Sequence, residues 1–211
     1  MPENPRLSGN IDRIDLEFVV REATPRLLMK LGIQLYLAES SFSNTVFIFE
    51  VFGFQRARST VHNWVHKADL QPDTGRCPDH VAVDETVIRL EDERYWLYAA
   101  VDTETNELLH TKIESTTNSD FAHAFFHELR EKHDVDDAMF LIDGSHSLKD
   151  ACNRHGLDFR CERTGNRNSV ERIIRQVKRR IFSLSKCFSY AAAETVDDWL
   201  GSFAFAWNQL I

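Results

Sequence analysis

The sequence predicts an α/β molecule in which a mixed five-stranded sheet carries helices on its faces and follows a small all-α unit. Two observations decide this. Five apolar or alternating runs fall between residues 81 and 161, separated by turn residues or by helical stretches. Ahead of them, residues 26–68 show the apolar spacing of short helices and no strand-like run. Residues 1–25 then read as a tail and lead-in, 26–71 as a helical domain, 72–79 as a linker and 80–211 as the main domain.

In the helical domain, Leu27, Leu28, Leu31, Leu35 and Leu37 supply the apolar positions of a first helix. Ser43-Asn44 reads as the N-cap of a second, Thr45–Phe52, which Gly53 ends. Ser59 or its neighbour starts a third, Thr60–Lys67. A helix, a Gly-containing turn and a short helix bearing His, Asn and Arg make a helix-turn-helix. Any small helical hairpin packs similarly, so the pattern alone leaves a purely structural role open. Val61, Trp64 and Val65 are the expected core positions. Arg56, Arg58, Thr60, His62, Asn63 and Lys67 are then left for the bases and phosphates of double-stranded DNA.

Pro72 to Pro78 mark the linker. Val81–Leu90, Tyr95–Val101 and Leu108–Ile113 read as three strands, with turns at Glu91–Glu93 and Asp102–Asn106. Ser119 is placed to cap a helix running to Lys132. Ala138–Ile142 is wholly apolar, as a central strand is. A short helix near Leu148–Arg154 and a strand near Leu157–Cys161 follow. Next comes a basic helix over residues 168–180, whose apolar stripe is Val170, Ile173, Ile174, Val177, Ile181 and Leu184. The last helix spans Ala193–Leu210, and its Trp199, Phe203, Phe205 and Trp207 are expected to pack as core.

Composition narrows the function. The formal charge of −8 over 211 residues argues against a nucleic-acid partner, but its distribution reverses that. Residues 160–180 hold eight basic and two acidic side chains, a local charge of +6. Arg outnumbers Lys 18 to 7, and an acidic, Lys-poor surface is expected of a protein working in concentrated salt. No apolar run approaches a membrane span, and Met1-Pro2-Glu3-Asn4-Pro5 lacks an export signature, so a cytoplasmic protein is expected. The four cysteines (Cys77, Cys152, Cys161 and Cys187) include no C-x-x-C pair, and reduced, mostly buried thiols are the better reading. The set Cys152, His155 and Cys161 has poor zinc spacing.

Three carboxylates stand out. Asp84 sits in the apolar run Val81–Thr86, sharing a face with Ala82 and Thr86 while Glu85 joins Val83 and Val87 opposite. Asp143 ends Met139–Ile142 just before Gly144, where it either reaches a ligand or caps the following turn. Glu171 lies in the basic helix, where Asn168 as N-cap would also make it the partner of a capping box. Lys178, seven residues on, projects from nearly the same side. A carboxylate at the end of a buried strand is costly to desolvate without a partner. Two such strands and a Glu among Arg and Lys therefore point to a divalent cation facing a phosphodiester. A nucleophilic Ser-His-Asp or Cys set is not evident in the sequence.

Several segments together closely resemble DDE transposases of the insertion sequence 6 family, in the short form found in halophilic archaea. They are Ser59–Leu70, Val83-Asp84-Glu85-Thr86, Trp96–Asp102 and Gly165–Arg172, and the similarity runs from about Gly32 to the C-terminal Trp207–Ile211. The resemblance implies an N-terminal helix-turn-helix and an RNase H-like catalytic core with an integrase-like active site. It makes Asp84, Asp143 and Glu171 the catalytic and metal-binding triad, holding two Mg²⁺ (or Mn²⁺) ions. Lys178 matches the family's basic residue seven positions after the Glu. Arg167, Arg172, Arg175, Lys178 and Arg179 join the expected DNA contacts. Such enzymes bind terminal inverted repeats as homodimers or higher synaptic assemblies. They cut to free 3′-hydroxyls and join these to target DNA, typically through a cointegrate. Two departures stand against the pattern: only 27 residues separate Asp143 from Glu171, and Ser145-His146-Ser147 replaces the Pro or aromatic residues frequent after the second Asp. Asp102 is the rival second ligand, disfavoured because it enters a hairpin turn. A non-catalytic regulator and an RNase H-type nuclease that hydrolyses without joining are the competing functions.

Overall fold

The computed structural model describes residues 14–19, 24–38, 40–68, 70–90, 93–162, 165, 168–183 and 193–209. Arg167, Leu184 and Cys187 lie outside this set. By compactness the chain divides into two units, one ending at Gln71 and the other beginning at Pro72.

The first unit holds three helices, α1 (Arg26–Leu37), α2 (Phe42–Val51) and α3 (Arg58–Lys67). The cap of α2 is Ser41, not Ser43-Asn44. The Ser41 hydroxyl accepts the Asn44 N–H at 3.1 Å, so Ser43 and Asn44 already lie inside the helix. At its other end Gly53 turns left-handed (φ 81°). Its N–H donates to Glu50 O at 2.9 Å and that of Phe54 to Phe49 O at 2.8 Å, a Schellman closure. Helix α3 opens at Arg58, one residue before Ser59, with Ala57 as N-cap. On α1 the inward stripe is Leu28, Met29, Gly32 and Ile33 rather than the leucine set, and Leu27 faces solvent. Helical spacing selects positions 28, 29, 32 and 33 together, which puts Leu27 on the far side. A Cβ on Gly32 would stand 2.8 Å from Phe49 Cζ, so α1 and α2 approach this closely because residue 32 has none. Val61, Trp64 and Val65 are buried as expected, with the Phe49 and Trp64 rings 6.3 Å apart.

The second unit is built on strands β1 (His80–Leu90), β2 (Glu93–Asp102), β3 (Leu108–Glu114), β4 (Met139–Ile142) and β5 (Phe159–Cys161). Helix α4 (Ser119–Lys132) precedes β4, and α5 (His146–His155) separates β4 from β5. Helices α6 (Asn168–Ser183) and α7 (Ala193–Asn208) complete the unit. The sheet order is β3-β2-β1-β4-β5. β1 pairs antiparallel with β2 and parallel with β4, β2 antiparallel with β3, and β4 parallel with β5. A three-stranded meander extended by two parallel strands, with helices on both faces, is the RNase H-like arrangement.

Alternation along β1 divides its side chains between two layers. Val81 and Val83 join Tyr98, Ala100, Phe125, Phe126, Leu148 and Cys152 in one core beneath α4 and α5. Ala82, Asp84 and Thr86 point to the other face, against which α6 packs its buried Val170, Ile173, Ile174, Val177 and Ile181. The cap of α4 is Asn118 rather than Ser119, its Oδ1 accepting the Phe121 N–H at 2.9 Å. In α7, Trp199 and Phe203 are buried while Phe205 and Trp207 are half-buried. Of the described cysteines Cys152 is buried but Cys77 and Cys161 are exposed, which corrects the expectation of mostly buried thiols. Burial pushes the Cys152 thiol up to about 12. Among the described residues no helix is long and apolar enough to cross a membrane.

Candidate active site

The parallel pairing of β1 with β4 fixes the relation of the first two carboxylates. Val81 stands opposite Phe140 and Ala82 opposite Leu141. Asp84 lies two residues beyond Ala82 and Asp143 two beyond Leu141, so the two occupy equivalent levels on neighbouring chains and the same face. Strand neighbours are about 5 Å apart in the bonding direction. Asp84 is only 9% exposed, and its Oδ1 accepts the Glu85 N–H at 3.0 Å. Asp143 is exposed at the strand end, and its Oδ1 accepts the Ser145 N–H at 2.7 Å. The turn-capping alternative is thus present, and it uses one of the two carboxylate oxygens. Gly144 turns the chain away at φ 95°.

Glu85 points to the opposite face, as alternation requires. There its Oε1 accepts from Ser145 Oγ at 2.6 Å and Ser147 Oγ at 3.1 Å. The Ser145-His146-Ser147 run is therefore a clamp that ties the start of α5 to β1 beside Asp143. Asp102 stands opposite Val81, on that same other face, and is 7% exposed. Its oxygens accept from Glu104 N at 2.8 Å and Thr105 Oγ1 at 2.8 Å, closing the β2–β3 turn. It shares no face with Asp84.

Helix α6 brings in Glu171. The helix begins at Asn168 itself, one residue earlier than an Asn168 N-cap implies. Two contacts set its direction. Arg172 donates to Asn106 Oδ1 at 2.6 Å, and Lys178 Nζ donates to Thr86 Oγ1 at 2.6 Å. The helix therefore runs along β1 with its first turn toward the β2–β3 turn. Glu171 lies about 10.5 Å back from Lys178 along the axis. Asp84 lies about 6.6 Å back from Thr86 along the strand. Measured in that common direction the two differ by about 4 Å. Glu171 is half-buried and, with Thr103, Asn106, Asn168, Arg172 and Arg175, borders a cavity of about 580 Å³. Asn106 holds a left-handed conformation (φ 62°), and its carbonyl accepts from Trp207 Nε1 at 3.0 Å. Among the described residues no group of three or more His, Cys, Asp or Glu gathers closely enough to hold a metal ion. This extends to Cys152, His155 and Cys161.

The electropositive side chains fall into two sets. On α6, Arg172, Arg175, Lys178 and Arg179 are exposed, while Arg180 lies 4.9 Å from the Phe203 ring centroid. On α3, Arg58, His62, Asn63 and Lys67 are exposed and Thr60 is half-buried. Arg56 is held differently: its Nε donates to Thr24 Oγ1 at 2.7 Å, giving it a role within the helical unit. Sequence reasoning missed Thr86, Asn106, Ser145 and Ser147, all small polar residues whose partners lie on distant segments. Alternation put Thr86 beside Asp84, and Ser145 and Ser147 stood out only as a departure from the family pattern; their contact with Glu85 was not read from the sequence.

Residues 79–181, which contain all three carboxylates, match the model of a family described as a DDE domain. An uncharacterized protein of Methanocaldococcus jannaschii, MJ0017, is 29% identical over 129 residues, 61% of this chain. The chain spans about 60% of the length of that curated relative. Among solved structures, the HTLV-2 integrase catalytic core domain in complex with magnesium (dimeric form) is 14% identical. Its TM-score is 0.44, with 63% of this chain and 86% of that chain covered. A simian T-cell lymphotropic virus intasome in complex with a PP2A regulatory subunit is 13% identical. It gives a TM-score of 0.45 over 80% of this chain and 66% of its own.

Proposed function

We propose that this protein is a DNA transposase of the insertion sequence 6 type. In this reading it binds the terminal inverted repeats of a mobile element, cleaves to expose 3′-hydroxyls and transfers them into target DNA. The observation that supports the reading most is the parallel register of β1 and β4, whose continuation two residues past Ala82 and Leu141 would bring Asp84 and Asp143 level on the face against which α6 packs. Support also comes from the DDE-domain match across β1 to α6.

By themselves Asp84, Asp143 and Glu171 do not gather closely enough here to hold a metal ion. In this reading they would hold Mg²⁺ or Mn²⁺ together with water and the phosphate oxygens of bound DNA, hard ligands that suit these ions. Bound there, two such ions supply activation of the attacking oxygen and stabilisation of the leaving one. The chain's own residues do the positioning. Asp84, fixed in the central strand, is anchored by its Glu85 N–H contact. Asp143 turns on Gly144, and the Glu85 clamp on Ser145 and Ser147 fixes the segment that follows it. Lys178 and the exposed arginines of α6 neutralise the phosphate backbone, while α3 reads the repeat through His62 and Asn63. The acidic, Lys-poor remainder fits an enzyme of a high-salt cytoplasm.

Labelled terminal-repeat DNA with Mg²⁺ tests this directly. Wild-type protein is expected to cleave and join strands, and chelation of the metal to stop both. Asp84→Asn and Glu171→Gln are each expected to lower cleavage by roughly a thousandfold or more while DNA binding persists. Cleavage without joining would make it a nuclease; binding without either, a regulator.

A further inference from the structure

Strand β3 is an edge of the sheet, and side chains of α7 meet its outward backbone groups. Near the start of that helix, Asp197 Oδ1 accepts the Ile113 N–H at 3.0 Å. Near its end, Asn208 acts as a surrogate peptide group. Its Oδ1 accepts the Leu108 N–H at 2.8 Å and its Nδ2 donates to Leu108 O at 3.1 Å. The two anchor points match in span: the helix from 197 to 208 covers about 16.5 Å, and the strand from 108 to 113 about the same. Helix α7 therefore lies antiparallel along β3, with its last turn fixed at the β2–β3 turn. There Trp207 donates its Nε1–H to Asn106 O at 3.0 Å. Asn106 is left-handed (φ 62°), its N–H donates to Asp102 O at 2.9 Å, and its Oδ1 accepts from Arg172 at 2.6 Å. Its carbonyl thus serves one helix and its side chain the other, beside Glu171.

We propose that the β2–β3 turn sets the position of Glu171, with Asn106, Trp207 and Asn208 as positioning residues that act through Arg172. The proposal rests on the transposase reading, in which Glu171 is a metal ligand. The turn matters because a cavity of about 580 Å³, bordered by Thr103, Asn106, Glu171 and Arg172, opens between it and the start of α6. Side-chain packing does not fill that space, so the Arg172–Asn106 bond determines how far apart the two stand. Farther along α6, buried Ile173, Ile174, Val177 and Ile181 and the Lys178–Thr86 contact hold the helix to the sheet. At the first turn, a guanidinium fixed to Asn106 governs the height and rotation of the neighbouring Glu171 above β1. Asparagine suits this post for two reasons. It accepts left-handed backbone, and its neutral amide oxygen receives the guanidinium without adding an anion beside a cation site. Residues that orient a metal ligand tune affinity by roughly 10–100-fold. Trp207 and Asn208, fastened to the edge strand, thereby act on a carboxylate 36 and 37 positions earlier.

The Mg²⁺ concentration giving half-maximal cleavage of labelled repeat DNA by the full chain provides the test. Asn106→Gly keeps the left-handed backbone and removes the acceptor. It is expected to raise that concentration roughly tenfold while DNA affinity stays at the wild-type value. Asn106→Asp supplies an acceptor again and is expected to return the wild-type dependence. Trp207→Phe keeps a ring, removes the donor and is expected to give a smaller shift in the same direction. A purely structural role lowers the melting temperature without moving the metal dependence, so an unmoved dependence in Asn106→Gly overturns the proposal. So does an Asn106→Asp protein as impaired as Asn106→Gly. If Asn106→Gly does not fold, Trp207→Phe decides: an unmoved dependence there overturns the proposal. Hydrogen exchange of the metal-free chain gives a reading that needs no catalysis. Residues 168–175 are expected to exchange faster in Asn106→Gly than in the wild type, with 176–183 unchanged, and equal exchange over 168–175 overturns the positioning role. A wild type that never cleaves, combined with faster exchange in the variant, sinks the transposase reading and leaves the joint between turn and helix standing.

Discussion

At the scale of single residues, the difference between Asp84 and Glu85 shows how far a backbone rule reaches. The period of two places adjacent carboxylates in opposite layers, one against α6 and the other under α5. Glu85→Ala removes the acceptor that holds Ser145 and Ser147. It is expected to cost about 1 kcal/mol of stability by chemical denaturation. Under the proposed function, cleavage by Glu85→Ala is expected to fall far less than that by Asp84→Asn, so an equal loss in a stable Glu85→Ala protein would contradict the division of roles. That division was legible in the sequence because it needs only local geometry. The adjacency of Asp84 to Asp143 was not, since a parallel register depends on how two distant strands settle together. Caps were legible only approximately: Ser41 and Ser43, or Asn118 and Ser119, offer near-equivalent oxygens, and the entry angle of the chain decides between them. The Arg56–Thr24 contact was not legible either, because its partner lies 32 residues away.

At the scale of elements, close approach and buried charge determine how helices meet their neighbours. Gly32→Ala pushes a methyl group into Phe49, and with Trp64 Cζ3 also 3.4 Å away there is little room to yield. A loss of about 1–3 kcal/mol is expected in the helical unit, measured as a lowered melting temperature. The β3 edge of the sheet, where α4 and α7 meet it, carries a denser network. Lys112 of β3 pairs with Glu128 of α4, and His110 lies 3.3 Å from the same carboxylate. The His110 imidazole and the Lys112 ammonium hold Glu128 down to about 2. Asp197 of α7, accepting the Ile113 N–H at 3.0 Å, behaves in the opposite way, because burial pushes it up to about 6. Between its ordinary value of 3.8 and about 6 the folded chain binds the Asp197 proton more tightly than the unfolded chain. Stability therefore falls as pH rises through that window. Asp197→Asn keeps the acceptor and removes the titration. It is expected to gain on the order of 1 kcal/mol over the wild type at pH 7, after allowance for solvent screening, and to lose that advantage below pH ~4. Melting curves across this range check it. The helical periodicity of α6 was readable from sequence, but the partners that orient it, Asn106 and Thr86, were not, since both belong to strand or turn segments some 60–90 residues earlier.

For the whole molecule, charge and topology each have consequences. With a formal charge of −8, self-repulsion opposes compactness in dilute buffer. Molar KCl screens it, so the melting temperature is expected to rise from low salt to molar salt. A flat or falling response would remove the high-salt reading. The topology has a temporal consequence. Fifty-nine positions separate each residue of β1 from its parallel counterpart in β4, with a complete hairpin and a helix between them. Local pairing can assemble the meander as soon as β3 leaves the ribosome, but β4 cannot dock until α4 has also emerged. Glu171 arrives later still. An interrupted translation product ending before that point would carry the five-stranded sheet with Asp84 and Asp143, yet lack Glu171 and the helix that packs over that face.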